Sequence, residues 1–246
     1  MSGQKEISLM FSGGVDSTIA AVELAKGWDR IHLVTFRNGY GHYAMERTAD
    51  RAKELNAMFG GKFVHSVTPA QELFEKIVVD DLKNNYDGYG SAFIWCMGCK
   101  LSMHAMNIVY CKRNGIGFAS DGSSSDTQEM VEQMLISVSL VKILYEDHGI
   151  QYIAPVYDIS RDEKRKRLKE MGFRMGIPVR DRYLRIQPSC IPGELYYLPY
   201  ILFNKGPVHE EKTVAKFIMD KREIVEEYIR IMGRQQTTDN RLQTKD

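Results

Sequence analysis

The stretch Ile7-Ser8-Leu9-Met10-Phe11-Ser12-Gly13-Gly14-Val15-Asp16-Ser17 decides the fold. Its apolar half stops at a glycine pair, and an apolar helical pattern through Ile19, Ala20, Val22 and Leu24 follows at once. That order reads as strand, tight loop, helix. Glycines let a backbone approach a ligand closely, and the free amides of a first helical turn, at the positive end of its dipole, suit an anion. The hydroxyls of Ser12 and Ser17 add donors. The loop is not a Walker A sequence, because no Gly-Lys-Ser/Thr closes it. A Gly-Gly pair alone serves a plain turn equally well.

Outward from this loop, strands and helices alternate. A second strand is expected over Ile31 to Phe36, a polar turn at Asn38 and Gly39, a helix from Tyr43 to Phe59 and a strand from Phe63 to Val67. A helix starting beside Cys96 stops at Asn114 and Gly115 before a strand from Ile116 to Ser120. A helix from Thr127 to Tyr145, a strand from Tyr152 to Val156 and a basic helix from Arg161 to Met171, capped by Ser160, complete the pattern. The expected fold is α/β: a parallel five-stranded sheet with helices on both faces and ligands at the carboxyl ends of its strands. After Arg182 the alternation stops. Domains of 1–182 and 183–246 are expected, the second a small, mainly helical appendage. It is rich in proline and aromatics and carries a helical apolar spacing from Glu210 to Met232, with a frayed tail beyond Gly233.

Ser12-Gly13-Gly14-Val15-Asp16-Ser17, placed after the first strand, resembles the signature of the PP-loop ATP pyrophosphatases. Val34, Thr35 and Phe36 match where that family cradles adenine. Ser120-Asp121-Gly122-Ser123-Ser124-Ser125-Asp126 is similar to its T-G-H-N-x-D-D stretch, with Gly122 and Asp126 fitting, serine in place of histidine and Thr127 in place of the second aspartate. Ala154-Pro155 through Glu163 resembles a further family segment, with Arg161 where lysine is usual, and Gly176-Ile177-Pro178 matches its ending. The resemblance implies an enzyme that splits ATP between its α- and β-phosphates to adenylate a substrate. It also implies that the loop holds the pyrophosphate end and that Asp16 helps to position phosphates and Mg2+.

Cys96-Met97-Gly98-Cys99 sits at the expected mouth of a helix, where the dipole favours thiolates. With Cys190 it reads in several ways. The thiols can be incidental core residues, as cysteine often is. They can hold zinc, which would require a fourth ligand such as His104 or Asp121. The preQ0 synthases carry zinc after a string like Ser189-Cys190, but their further cysteines are absent here. The resemblance to cluster-dependent tRNA thiolases implies instead that Cys96, Cys99 and Cys190 hold a 4Fe-4S cluster with one iron open for sulfide. A persulfide relay between thiolates is the variant of the same chemistry. Cys111 falls outside the pattern and reads as core, and the histidines show no metal-ligand spacing.

Lys100 reads as a surface lysine or a phosphate contact. Arg161, Lys164, Arg165, Lys166, Arg167 and Lys169 read as a solvated helix or an RNA patch, which Arg180, Arg182 and Arg185 would extend. With 33 basic against 32 acidic residues, no global field argues for nucleic acid. No run of about 18 apolar residues and no leader pattern appear, so a cytoplasmic protein without membrane contact is expected. Four cysteines are too few for a disulfide framework in this length. The leading expectation is an ATP-dependent sulfur transferase acting on a tRNA nucleobase or a small molecule, with a separate sulfur donor and a homodimeric assembly. An ammonia-using amide or nitrile ligase and a non-catalytic nucleotide-binding regulator are the alternatives.

Overall fold

The structure, a computed structural model, describes residues 4–174, 188–203, 206 and 208–243. Five strands form one parallel sheet: β1 (Glu6–Met10), β2 (Arg30–Arg37), β4 (Phe63–Pro69), β5 (Phe118–Ser120) and β6 (Gln151–Ile153), in the order β4-β2-β1-β5-β6. The chain runs outward from β1 through β2 to β4, then crosses back to β5 and β6. The strand order therefore reverses beside β1, where open α/β sheets form their ligand crevice. Ile7, Leu9 and Phe11 are buried together, because a central parallel strand is covered on both faces and reads as a continuous apolar run.

One face is packed by α1 (Val15–Ala25), α2 (Arg47–Phe59) and α7 (Arg161–Glu170), which share a core with Ile7, Leu9 and Ile31. The other is packed by α5 (Phe93–Asn114) and α6 (Leu135–Asp147), with α3 (Gln71–Phe74), a π turn over Glu75–Val79 and α4 (Leu82–Tyr89) at its border. Gly98 is required at this packing, because a methyl group there would lie 2.2 Å from Val78 Cγ2.

Beyond these come β7 (Ser189–Cys190), α8 (Ile191–Tyr196), α9 (Leu198–Phe203) and α10 (Glu211–Gln243). The last helix lays Val214, Phe217, Ile218, Val225, Tyr228 and Ile229 into the same core as α5 and α6. Each such side chain contributes about 1.5–3 kcal/mol on burial.

Several boundaries differ from the sequence reading. Tyr43 does not open a helix; His42–Tyr43 form a short strand, β3, paired antiparallel with β7, and α2 starts at Arg47. The expected helix from Thr127 is two 3-10 turns, Ser125–Thr127 and Val131–Gln133, before α6 begins at Leu135. There Gln133 Oε1 accepts from Ser124 N at 2.8 Å, so its side chain braces the loop. The final helix continues through Gly233 to Gln243. Ser160 caps α7 as expected, its Oγ accepting from Glu163 N at 3.2 Å. Gly176 to Pro178, Arg180, Arg182, Arg185 and the expected domain boundary lie outside the described residues. Among the described residues, no helix is long and apolar enough to cross a membrane.

Candidate functional site

At the carboxyl ends of β1, β2 and β5 lies a cavity of about 300 Å³. Ser12, Asp16 and Ser17 line one side, Val34, Thr35 and Phe36 a second, and Lys100, Asp121, Gly122 and Cys190 a third. The expected phosphate loop, the expected adenine wall and one cysteine of the trio thus share a single space.

The loop is built to leave amides free. Gly13 has φ +71°, a left-handed conformation that L side chains rarely adopt. Gly14 is extended (φ −75°, ψ 179°) and starts α1 without a side-chain cap, so the first-turn amides keep their capacity for an anion. Ser12 Oγ and Ser17 Oγ lie 3.0 Å apart, and Ser12 Oγ accepts from Gly14 N at 3.3 Å. Val15 opens the helix behind them. Gly122 presses on this turn so closely that a methyl group there would lie 2.6 Å from Ser17 N.

Two lysines flank the loop. Lys164 is fully buried and donates to Asp16 Oδ1 at 3.0 Å and to Ser124 Oγ at 2.7 Å. The solvated-helix reading fails at this residue, which turns inward with Leu168 one turn further on. Arg161 is exposed; its backbone amide donates to Asp126, so these two residues meet at the start of α7, outside the cavity lining. Lys100 is no surface lysine either. It lines the cavity and donates to Asp121 Oδ2 at 2.6 Å, its side chain only 17% exposed.

Asp121 anchors a buried network. It also accepts from Tyr152 OH at 2.7 Å, from Ser123 N at 2.9 Å and from Ser123 Oγ at 2.8 Å, with His104 Nε2 at 3.6 Å. Burial alone would raise this carboxyl; the Lys100 ammonium, then His104 and the hydrogen bonds, hold it well below the usual carboxylate range. His104 is pushed down to about 3 by burial and by Lys100, and its Nδ1 lies 3.1 Å from Tyr145 OH. Both candidates for a fourth zinc ligand are therefore occupied in this network.

The three cysteines converge on the same edge. Cys190 is carried there by β7, whose residues pair with β3 in the register His42 to Cys190. A methyl group at Gly193 would lie 3.7 Å from Cys190 Sγ and 3.9 Å from Cys96 Sγ, so both sulfurs border that glycine. Cys99 Sγ accepts from Asn38 Nδ2 at 3.1 Å and lies 3.9 Å from His42 Nε2. The lowered thiol pKa expected of a helix mouth is not found. Helix α5 begins at Phe93, so the CxxC lies inside it, and burial pushes the thiols of Cys96 and Cys99 far up. Cys190 is also raised by burial, against a hydrogen bond from the Gly193 backbone. A thiolate at Cys190 would further disfavour ionisation of both Cys96 and Cys99, as a neighbouring sulfur does. Among the described residues no three His, Cys, Asp or Glu side chains form a ready-made metal group. Cys111 is fully buried core, as read.

Sequence reasoning missed Asn38, His42 and Lys164. The Asn38-Gly39 turn signal concealed a side chain fixed by Tyr40, whose amide donates to Asn38 Oδ1 at 2.9 Å. His42 carries no spacing signal, because its neighbours are assembled by β3–β7 pairing.

The sheet order, the loop after β1 and the cavity at the strand ends define an α/β, Rossmann-like fold of the PP-loop type. No family model matches the chain. Over 202 residues, 78% of its length, it is 27% identical to the glutamine-hydrolysing GMP synthase of Streptococcus uberis. It spans 34% of that curated relative's length. Among solved structures it is similar to a 4-thiouridine synthetase in complex with RNA and bound ATP. That likeness has a TM-score of 0.59 and 16% identity, and covers 95% of this chain and 53% of the other. A predicted subunit of a tRNA methyltransferase from Methanocaldococcus jannaschii aligns with a TM-score of 0.44 and 20% identity, over 68% of this chain and 74% of the other.

Proposed function

We propose that this protein is an ATP-dependent sulfur transferase that adenylates an oxygen of its acceptor, releases pyrophosphate and replaces AMP with sulfur. The observation that carries the reading is the shared cavity: phosphate loop, Lys100 and Cys190 line one space. Pyrophosphate leaves with concentrated negative charge. Amides of the Val15–Ser17 turn, the two serine hydroxyls and Lys100 face that charge, and preorganised donors of this kind act most strongly on charge that develops in the transition state. Asp16, held by Lys164, offers carboxylate oxygen of the type Mg2+ takes. Thr35 and Phe36 wall the adenine side, and Gly122 seats the loop.

Cys96, Cys99 and Cys190 fit an iron-sulfur cluster in donor type, since thiolates are its usual ligands, although their protons must leave on loading. Cys96, Cys99 and Cys190 would hold such a cluster by three thiolates, and a 4Fe-4S cluster so held would supply an iron without a protein ligand for sulfur chemistry. The similarity to GMP synthase favours a second reading, in which ammonia attacks the adenylated carbon and the thiols hold zinc or nothing.

Anaerobic purification with iron and acid-labile sulfide analysis separates the two. A brown protein carrying about four irons per chain is expected, with colour lost in each of Cys96→Ser, Cys99→Ser and Cys190→Ser while ATP still binds. A colourless, zinc-loaded protein that releases pyrophosphate only with ammonia would establish the ligase instead.

A further inference from the structure

Next to the nucleotide cavity, and sharing His42 and Met45 with it, lies a second cavity of about 390 Å³. Arg37 at the end of β2, His65 and Val67 on β4, and Tyr43 and Ala44 at the β3–α2 junction line it. Its size falls within the range of small-molecule sites.

Three observations mark it as more than a gap between elements. Ala44 has φ +55°, the single non-glycine residue in the left-handed region among the described residues. Such strain persists where surrounding structure enforces it, commonly at ligand clamps. His42 Nδ1 is buried without a hydrogen-bond partner, at the wall common to both cavities. Arg37 stands exposed at the mouth, and among the described residues no carboxylate pairs with it. His65, on the far wall, is tied back to the adenine side by Thr35 Oγ1 at 3.1 Å.

We propose that this second cavity is the acceptor subsite, and that it takes a nucleotide: the base enters between Tyr43, His65 and Val67, and its phosphate pairs with Arg37. The inference rests on the adenylation reading above, because an acceptor must reach the α-phosphate from a space adjoining that of ATP. The chemistry of the walls selects the class. Two aromatic rings and an exposed valine suit a planar base, and one unpaired guanidinium suits a single phosphate. A free nucleotide and a nucleotide within RNA present the same group.

The test loads the protein with α,β-methylene-ATP and then titrates the four ribonucleoside monophosphates, unfractionated tRNA and inorganic phosphate by calorimetry. At least one monophosphate or the tRNA is expected to bind the loaded protein. Arg37→Ala should weaken it ten-fold or more, Arg37→Lys less, and neither should change the melting temperature or the affinity for the ATP analogue. Inorganic phosphate should bind at least ten-fold more weakly than the nucleotide. Binding of none of these nucleotide probes, equal binding of phosphate, or indifference to Arg37→Ala overturns the subsite while leaving the ATP site standing. Failure of the analogue itself to bind removes the adenylation reading, and the subsite with it.

Discussion

Gly122→Ala should lose ATP binding by at least about a hundred-fold while the protein stays folded. The added methyl group would meet Ser17 N at 2.6 Å, the Asp16 carbonyl carbon at 2.8 Å and Ser17 Cα at 2.9 Å. All three are backbone atoms, so no side chain can swing aside and the loop itself must move. The amide displaced is one of those that would face phosphate, and a hundred-fold loss corresponds to about 2.7 kcal/mol. Overpacking of this kind costs about 1–3 kcal/mol of stability, a fraction of what a domain this size holds. Calorimetric titration with ATP, beside a thermal melt, checks both halves. Tight ATP binding by the variant would show that β5 does not seat the loop.

Lys100→Met should damage both catalysis and stability. Removing one positioned donor from developing charge typically slows turnover by about 10²–10³-fold, read here as pyrophosphate release. The same change strands the Asp121 carboxylate, which is 1% exposed. Breaking a buried pair on one side costs about 3–5 kcal/mol. The pH dependence has a definite sign. A carboxylate whose folded pKa lies below its unfolded value of about 3.9 adds stability that is complete above that value and fades as pH falls through the folded pKa. Without Lys100, burial dominates and Asp121 moves the other way. The stability gap between wild type and variant should therefore be widest near neutral pH, begin to shrink above the unfolded carboxylate value of about 3.9 as the variant's buried Asp121 takes up its proton, and go on shrinking below it. Denaturant titrations at pH 7 and pH 3.5 measure it; a gap independent of pH would remove Asp121 from the account. Lys100→Arg, which keeps the charge, should recover part of the stability.

The parts of this molecule that were legible in its sequence are those whose signal is local. A central parallel strand is apolar nearly throughout, so Ile7, Leu9, Met10 and Phe11 announced β1, and Gly13-Gly14 marked where it had to end. Ser160 announced a cap because its hydroxyl acts within one helical turn. The remainder depends on residues far apart in the chain. The two-residue strands β3 and β7 have no periodicity to read; what pairs them is the docking of the C-terminal segment, including the close approach of Gly41, where a methyl group would lie 2.6 Å from Pro192 Cδ. Lys164 looked like one more cation in a basic helix, since only Leu168 on its face hinted that the face was buried. The cysteines were found by spacing, yet their acidity was misjudged because burial in the finished core outweighs the dipole of the helix that carries them. The zinc reading needed His104 or Asp121 as a fourth ligand, whereas the fold pairs Asp121 with Lys100 and sets His104 between Asp121 and Tyr145.

The decisive measurement is a competition at the loop. Wild-type protein with magnesium is titrated by calorimetry with ATP, with inorganic pyrophosphate and with AMP, singly and together, and Ser17→Ala is run alongside. One equivalent of ATP should bind, pyrophosphate should displace it, AMP and pyrophosphate should bind side by side, and Ser17→Ala should weaken pyrophosphate far more than AMP. A folded protein that ignores ATP, or that binds ATP without competition from pyrophosphate, would contradict the assignment of Ser12 to Ser17 as the diphosphate cradle.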